Sequence, residues 1–263
     1  MSDKSKNTIN IPVVPDSVDQ AAQNLTAPIT KNIGKTLADV WFLVFGGLSQ
    51  KAAIRNMKYE HELQLYYEEL QNSVSEIPAE KKLEPNIQIT AQALENSKYC
   101  IESEELRKMF VNLISKSMNS DFKNNIHPSF AEIIKQMSPM DAQIFKSLSP
   151  KTTFPLVDYI LEYQDTHQYV VMYSEIYLPS IPNVDIKIVS SSISSLNRLG
   201  LIDIDSQASA ATEGIYKPYE ETDLFKKLTL FAPSVSPSAK ASIAKHLGSI
   251  SPLGRNFLEV CVK

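Results

Sequence analysis

The stretch ESEELRKMFVNLISKSM at 102–118 constrains the fold more than any other part of the chain. Leu106, Met109, Phe110, Leu113, Ile114 and Met118 recur at three- and four-residue steps, the spacing that lines side chains along one stripe of a helix. Glu102, Glu104 and Glu105 at its start and Lys116 near its end match the two poles of the helix dipole. An apolar stripe of that width has to be covered, so further helices are expected around it. The flanking sequence supplies them. Met57, Leu63, Tyr66, Tyr67, Leu70, Val74 and Ile77 mark a long amphipathic helix over about 50–74, with Lys58, Glu60, Glu62, Glu68 and Glu69 on its other faces. A proline-bounded link, IPAEKKLEP, precedes a helix over about 87–98. Pro128 in HPSF suits a first helical turn, and SPMD at 138–141 offers a cap serine, a proline and an acid three places on.

Ser149-Pro150 marks a change of pattern. Beyond it we expect a short apolar helix near 154–163, then a strand in QYVVMYSEIYL, whose tyrosines and valines favour extended backbone. In DIKIVSSSISSLNRLGLIDID, Ile186, Val189, Ile193 and Leu196 form a helical stripe. Gly200 is placed to end that helix in the left-handed conformation, and Leu201 to Ile204 alternate as a strand. After a loop, Ser251-Pro252 opens a closing helix. Seven glycines against fifteen prolines favour helices punctuated by prolines over tight hairpins. The expected fold is therefore mainly α: a flexible N-terminal tail at 1–28, an all-α helical bundle at 29–150, and a C-terminal α+β winged-helix-like domain at 151–263.

The stretches KYCIESEELRKMFVNLI, HPSFAEIIKQMSPMDAQIF, SISSLNRLGLI and ISPLGRNFLEVC, in that order, resemble the abortive infection alpha family of bacterial proteins. The resemblance is strongest over about 85–148 and looser to the C-terminus. It implies a role in defence against phage, in which an infected cell stops growing or dies, and it implies no reaction. Glu105, Leu106, Phe110, His127, Pro128 and Phe130 are the motif residues, and physically the apolar ones read as buried helix faces.

Catalytic signatures are missing from the sequence. HELQL at 61–65 lacks the second histidine of a helical zinc site, and no Walker loop, GxGxxG or GxSxG occurs. His127 beside Ser129 is better explained by a hydrogen bond at a helix start than by a catalytic pair. Glu102, Glu104 and Glu105 read as a solvated helix start rather than a cation site. Cys100 and Cys261 stand far apart with no CxxC, which argues against a disulfide framework or a zinc knuckle. We expect no enzyme activity, no metal, no cofactor and no small-molecule substrate.

Two surfaces remain. In LADVWFLVFGGL at 37–48, Leu37, Val40, Trp41, Val44, Phe45 and Leu48 form a helical stripe widened by Phe42 and Leu43. From Val40 to Gln50 no residue is charged, but as helix this run spans about 16 Å against a hydrocarbon core of about 30 Å. It cannot cross a bilayer alone. Burial in the bundle competes with a membrane-surface or partner contact through Trp41, Phe42, Phe45, Lys51 and Arg55, since basic residues flank the run. The second surface is the outward face of the 186–198 helix, Lys187, Ser191, Ser194, Asn197 and Arg198, which would meet nucleic acid or a protein partner. With a net charge of −4 for the chain and only two cations on this face, protein contact is favoured over DNA. The expected function is abortive-infection defence as sensor, adaptor or growth-arresting effector. The protein is expected to be cytoplasmic or peripheral at the inner membrane, with a protein partner or self-association. A winged-helix DNA-binding regulator is the alternative.

Overall fold

The computed structural model describes residues 36–45 and 57–263. The tail at 1–28 and the contacts assigned to Lys51 and Arg55 lie outside them. Helix α1 covers 36–45, followed by α2 (Met57–Ser75), α3 (Ile87–Ser97), α4 (Glu104–Ser117), α5 (Phe130–Gln136) and α6 (Pro139–Leu148). Helix α4 is the axis of this half. Ser103 caps it by accepting from the Leu106 N–H at 3.4 Å, and its stripe of Leu106, Met109, Phe110, Leu113 and Ile114 is buried. Helices α2, α3, α5 and α6 all pack on it, so the wide stripe is covered as its spacing requires. At α6 both halves of a capping box form: Asp141 N–H donates to Ser138 Oγ at 3.1 Å and Ser138 N–H to Asp141 Oδ2 at 2.9 Å.

The second half contradicts the mainly-α, winged-helix expectation. Its elements are β1 (Thr153–Tyr163), β2 (Tyr169–Ile176), α7 (Ile186–Arg198), β3 (Ile202–Asp205), α8 (Lys217–Glu220), α9 (Asp223–Val235), β4 (Ala239–Ile250) and α10 (Pro252–Phe257). One π turn, Leu258–Val262, follows α10. The four strands form an antiparallel sheet in the order β2-β1-β4-β3, which makes the chain α+β. Residues 154–163, expected as a short helix, are the long strand β1, paired with β4 along its whole length. The loop expected after β3 holds α8, α9 and β4, so no short wing joins β3 to its partner.

The reason for the misreading of β1 is that both its faces are buried. Phe154 and Leu156 point into the main core, while Val157, Tyr159 and Leu161 point into a second cluster under α8 and α9. A strand covered on both sides reads as a continuous apolar run, which periodicity alone cannot tell from helix. Between β1 and β2 the register shifts twice: near Glu175, whose φ of 54° marks the extra residue of a bulge, and again between Tyr173 and Val171.

The main core does not stop at Ser149-Pro150. It runs from Leu37 to Cys261 and includes Val189, Ile193 and Leu196 of α7. Phe257 lies 5.2 Å from the Phe130 ring and 5.8 Å from that of Phe145, both edge-on. Lys116 Nζ donates to Glu259 O at 2.7 Å and Asn112 Nδ2 to Cys261 O at 3.0 Å, fastening the final turn to α4.

Candidate functional site

The most exposed apolar surface of the described residues gathers on β2, α7 and α9, elements that are distant in sequence. Thr222 starts α9 by accepting from the Phe225 N–H at 3.1 Å. Tyr159 of β1 donates to Tyr219 O at 2.7 Å, and Tyr219 donates to Pro155 O at 2.7 Å, clipping the α8–α9 segment to the sheet. Burial pushes the pKa of both phenols above the ordinary tyrosine value, so each stays a neutral donor. Between these parts lies an open groove of about 770 Å³, lined by Met172, Tyr173, Ile186, Leu224, Leu228 and Phe231. Asp185, Lys187, Asp223 and Lys227 stand along it, two acids and two bases. Phe231 in its wall is 49 % exposed, and on the same elements Tyr169 is 59 % and Leu230 82 % exposed, a combination that marks a contact surface.

The α7 face singled out from the sequence borders this groove, but much of it is engaged within the chain. Lys187 Nζ sits 5.4 Å from the centroid of the Tyr173 ring, Ser194 donates to the Glu175 carboxylate, and Arg198 donates to Gln136 Oε1 at 3.0 Å. Ser191 bonds back to Lys187 O at 3.1 Å, and Asn197 is exposed. A carboxylate thus sits among the residues that would face phosphate, which weakens a nucleic-acid reading.

On α1 the two aromatic anchors part company with their neighbour. Trp41 and Phe45 are buried, Trp41 lying 5.3 Å from each of the Tyr66 and Tyr67 rings of α2, whereas Phe42 faces outward. Among the described residues no helix is long and apolar enough to cross a membrane.

A second cleft, of about 620 Å³, opens between α2, α4, α6 and the final turn. Glu69, Glu76, Glu104 and Glu105 face it together with Lys108 and Lys146. Glu105 accepts from Gln143 Nε2 at 2.6 Å, which holds its carboxyl below the usual range, and Glu104 pairs with Lys108. Among the described residues no three histidine, cysteine or acidic side chains are grouped to hold a metal ion.

Sequence reasoning passed over two polar clusters. Arg107 is buried in the α2–α4 interface and forks onto Glu69 at 3.0 and 3.1 Å, while also donating to Glu62 and to Ile101 O at 2.9 Å. Its signal was the pair of acids seven residues apart on α2, which share one helix face. His246 of β4 lies 3.2 Å from Asp158 Oδ2 across the sheet, and the other Asp158 oxygen accepts the Glu175 N–H at 2.8 Å, pinning the bulge. No local signal in the sequence joins these two positions.

The family model of abortive infection alpha matches residues 58–261. The chain belongs to that family. No curated protein and no solved structure matches it. The match runs from α2 to the final turn, so the α+β arrangement, groove included, lies within the abortive infection alpha region, and α1 precedes it. Of the motif residues, Leu106, Phe110 and Phe130 are buried in the main core, and Glu105 reaches Gln143. His127 and Pro128 are exposed, with the His127 Nδ1 2.7 Å from Ser129 Oγ and accepting the Ser129 N–H at 3.2 Å. This is a turn-forming hydrogen bond at the approach to α5.

Proposed function

We propose that the chain is an anti-phage defence protein of abortive-infection type, working in the cytoplasm as a sensor or adaptor through protein contact and not through a reaction of its own. The match to the abortive infection alpha family across 58–261 carries the defence part of this reading. The groove between β2, α7 and α9 supports the contact part, because exposed aromatic and aliphatic side chains flank a concave apolar floor edged by both signs of charge. The other cleft suits catalysis less well. Glu69, Glu104 and Glu105 around it are each tied to a neighbour, to Arg107, Lys108 and Gln143 in turn.

Phage infection of a bacterium expressing the full chain tests the reading. Abortive infection protects a culture at low phage multiplicity, where few cells are sacrificed, and loses it at high multiplicity, where all are infected. Phe231→Glu, which puts a charge on the groove wall at a half-exposed site, is expected to abolish protection with an unchanged melting profile. Infected cells that survive and divide at high multiplicity, or full protection by a folded Phe231→Glu variant, would overturn it.

A further inference from the structure

We propose that Asp158 is a positioning residue for the groove, aiming Met172 and Tyr173 into it by pinning the β2 bulge, with His246 orienting Asp158; the role rests on the groove being the contact surface. Met172 and Tyr173 are consecutive residues of a strand, whose side chains ordinarily point to opposite faces, yet both line the groove. The pairing with β1 explains this. Val157 stands opposite Ile176, Tyr159 opposite Tyr173 and Ile160 opposite Val171, so β2 carries one extra residue on each side of Tyr173. Ser174 and Glu175 both fall opposite Asp158, and Met172 falls between two paired residues. Each extra residue bends the strand and re-aims its neighbours, and two of them in succession turn both side chains toward the groove.

The φ of 54° at Glu175 is a left-handed backbone that a residue with a side chain keeps only where its surroundings over-determine it. Three bonds do so. The Glu175 N–H donates to Asp158 Oδ1 at 2.8 Å, the Glu175 carboxylate accepts from Ser194, and Ser174 O accepts from Ser190 Oγ at 2.6 Å. Ser190 and Ser194 belong to α7, so of the three anchors only Asp158 ties the bulge to the neighbouring strand and fixes the phase of β2 against β1. Without that tie the extra residue is free to migrate, and a slip of one residue turns side chains to the other face. His246 completes the pin. Asp158 pairs with Ala244 of β4, which makes His246 its diagonal neighbour, with Nε2 3.2 Å from Asp158 Oδ2. The two side chains are 12 % and 18 % exposed for His246 and Asp158, and His246 Nδ1 is buried with no hydrogen-bond partner among the described residues. A carboxylate held at one oxygen by the ring presents the other to Glu175 in a fixed direction. Neither Asp158 nor His246 lines the groove, so both act on it through β2.

NMR of the full chain labelled with carbon-13 at the methionine methyls tests this, because Met172 is the one methionine of seven that lines the groove, and Met172→Leu assigns its signal. In Asp158→Ala the Met172 signal is expected to move while those of Met109, Met118 and Met137, buried in the helical half, stay in place. The Glu175 amide is expected to exchange about tenfold faster or more, the effect of losing a hydrogen bond to a charged acceptor. Asp158→Asn keeps an oxygen for the Glu175 N–H and is expected to restore both readings. His246→Ala, which leaves the carboxylate in place without its orienting ring, is expected to show the Asp158→Ala change in smaller degree. One reading needs no variant: in the wild type the Glu175 amide is expected to exchange far more slowly than in an unstructured peptide. An unprotected wild-type amide, a Met172 signal unmoved in both alanine variants, all methionine signals moving alike, or an Asp158→Asn as disturbed as Asp158→Ala would overturn the proposal. Methyl signals read the aim of the strand and phage plating reads defence, so a moved Met172 with full protection would sink the contact reading and leave the positioning role standing.

Discussion

Replacing Arg107 by alanine removes the one cation from a buried polar cluster and leaves its partners behind. The guanidinium is 6 % exposed, and Glu62 and Glu69 keep 16 % and 27 %, so two carboxylates would face each other across the α2–α4 interface with Ile101 O also unpaired. Breaking a buried pair from one side costs about 3–5 kcal/mol, and the partial exposure of the two glutamates places this one near the lower figure. At about 2–4 °C per kcal/mol for a chain of this size, the melting temperature should fall by about 6–12 °C. Arg107→Lys keeps the charge but loses the fork onto Glu69, and should fall between the two. The triple change Arg107→Met, Glu62→Leu, Glu69→Met removes every charge at once and should recover most of the loss, since an apolar replacement of a buried ion pair is often neutral or better. Differential scanning calorimetry of the four proteins decides. An Arg107→Ala variant that melts with the wild type, or a triple variant less stable than the single one, would refute the reasoning.

Other changes probe the frame around the groove. Gly254→Ala would place a methyl 2.0 Å from Leu201 O, a backbone atom just before β3, so α10 must shift; a loss of about 1–3 kcal/mol or more is expected from urea unfolding. Trp41 is the only tryptophan and packs on Phe45, Tyr66 and Tyr67, so its emission should be that of a buried indole and should not change on adding anionic vesicles. A vesicle-induced shift would mean that α1 leaves α2 for the membrane. Burial pushes the Cys261 thiol well above its ordinary value, so the folded chain keeps that proton while the unfolded chain releases it near pH 8.5. The stabilisation is therefore full below that pH and declines as pH rises above it; urea midpoints should fall toward pH 9.5, about one unit higher, less so in Cys261→Ala.

Where local chemistry decides structure, the sequence was readable. The α4 stripe with its Ser103 cap, the SPMD capping box of α6, strand β2, and Gly200 ending α7 at φ 72° all depend on neighbours within a few residues. Strand β1 was hidden because Phe154 and Leu156 serve one core while Val157 and Tyr159 serve another. Strand β4 was hidden for a different reason. Ala239, Ala241 and Gly248 are weak strand formers, and Gly248 is there because an added Cβ would lie 2.2 Å from the Phe154 ring. Arg107 looked like any charged residue on an amphipathic helix; only the approach of α2 makes it internal. The groove could not be seen at all, since its walls come from residues 172–173, 184–187 and 223–231.

The fastening of the final turn to α4 bears on how the protein is made. Until Phe257 has been synthesised, Phe130 and Phe145 lack the ring that stands edge-on to both, and until Cys261 follows, Asn112 lacks its carbonyl. The emerging helices therefore wait, with an apolar wall open, through the synthesis of the entire sheet. A ribosome stalled within β4 would hold an unfinished core exposed to chaperones and proteases.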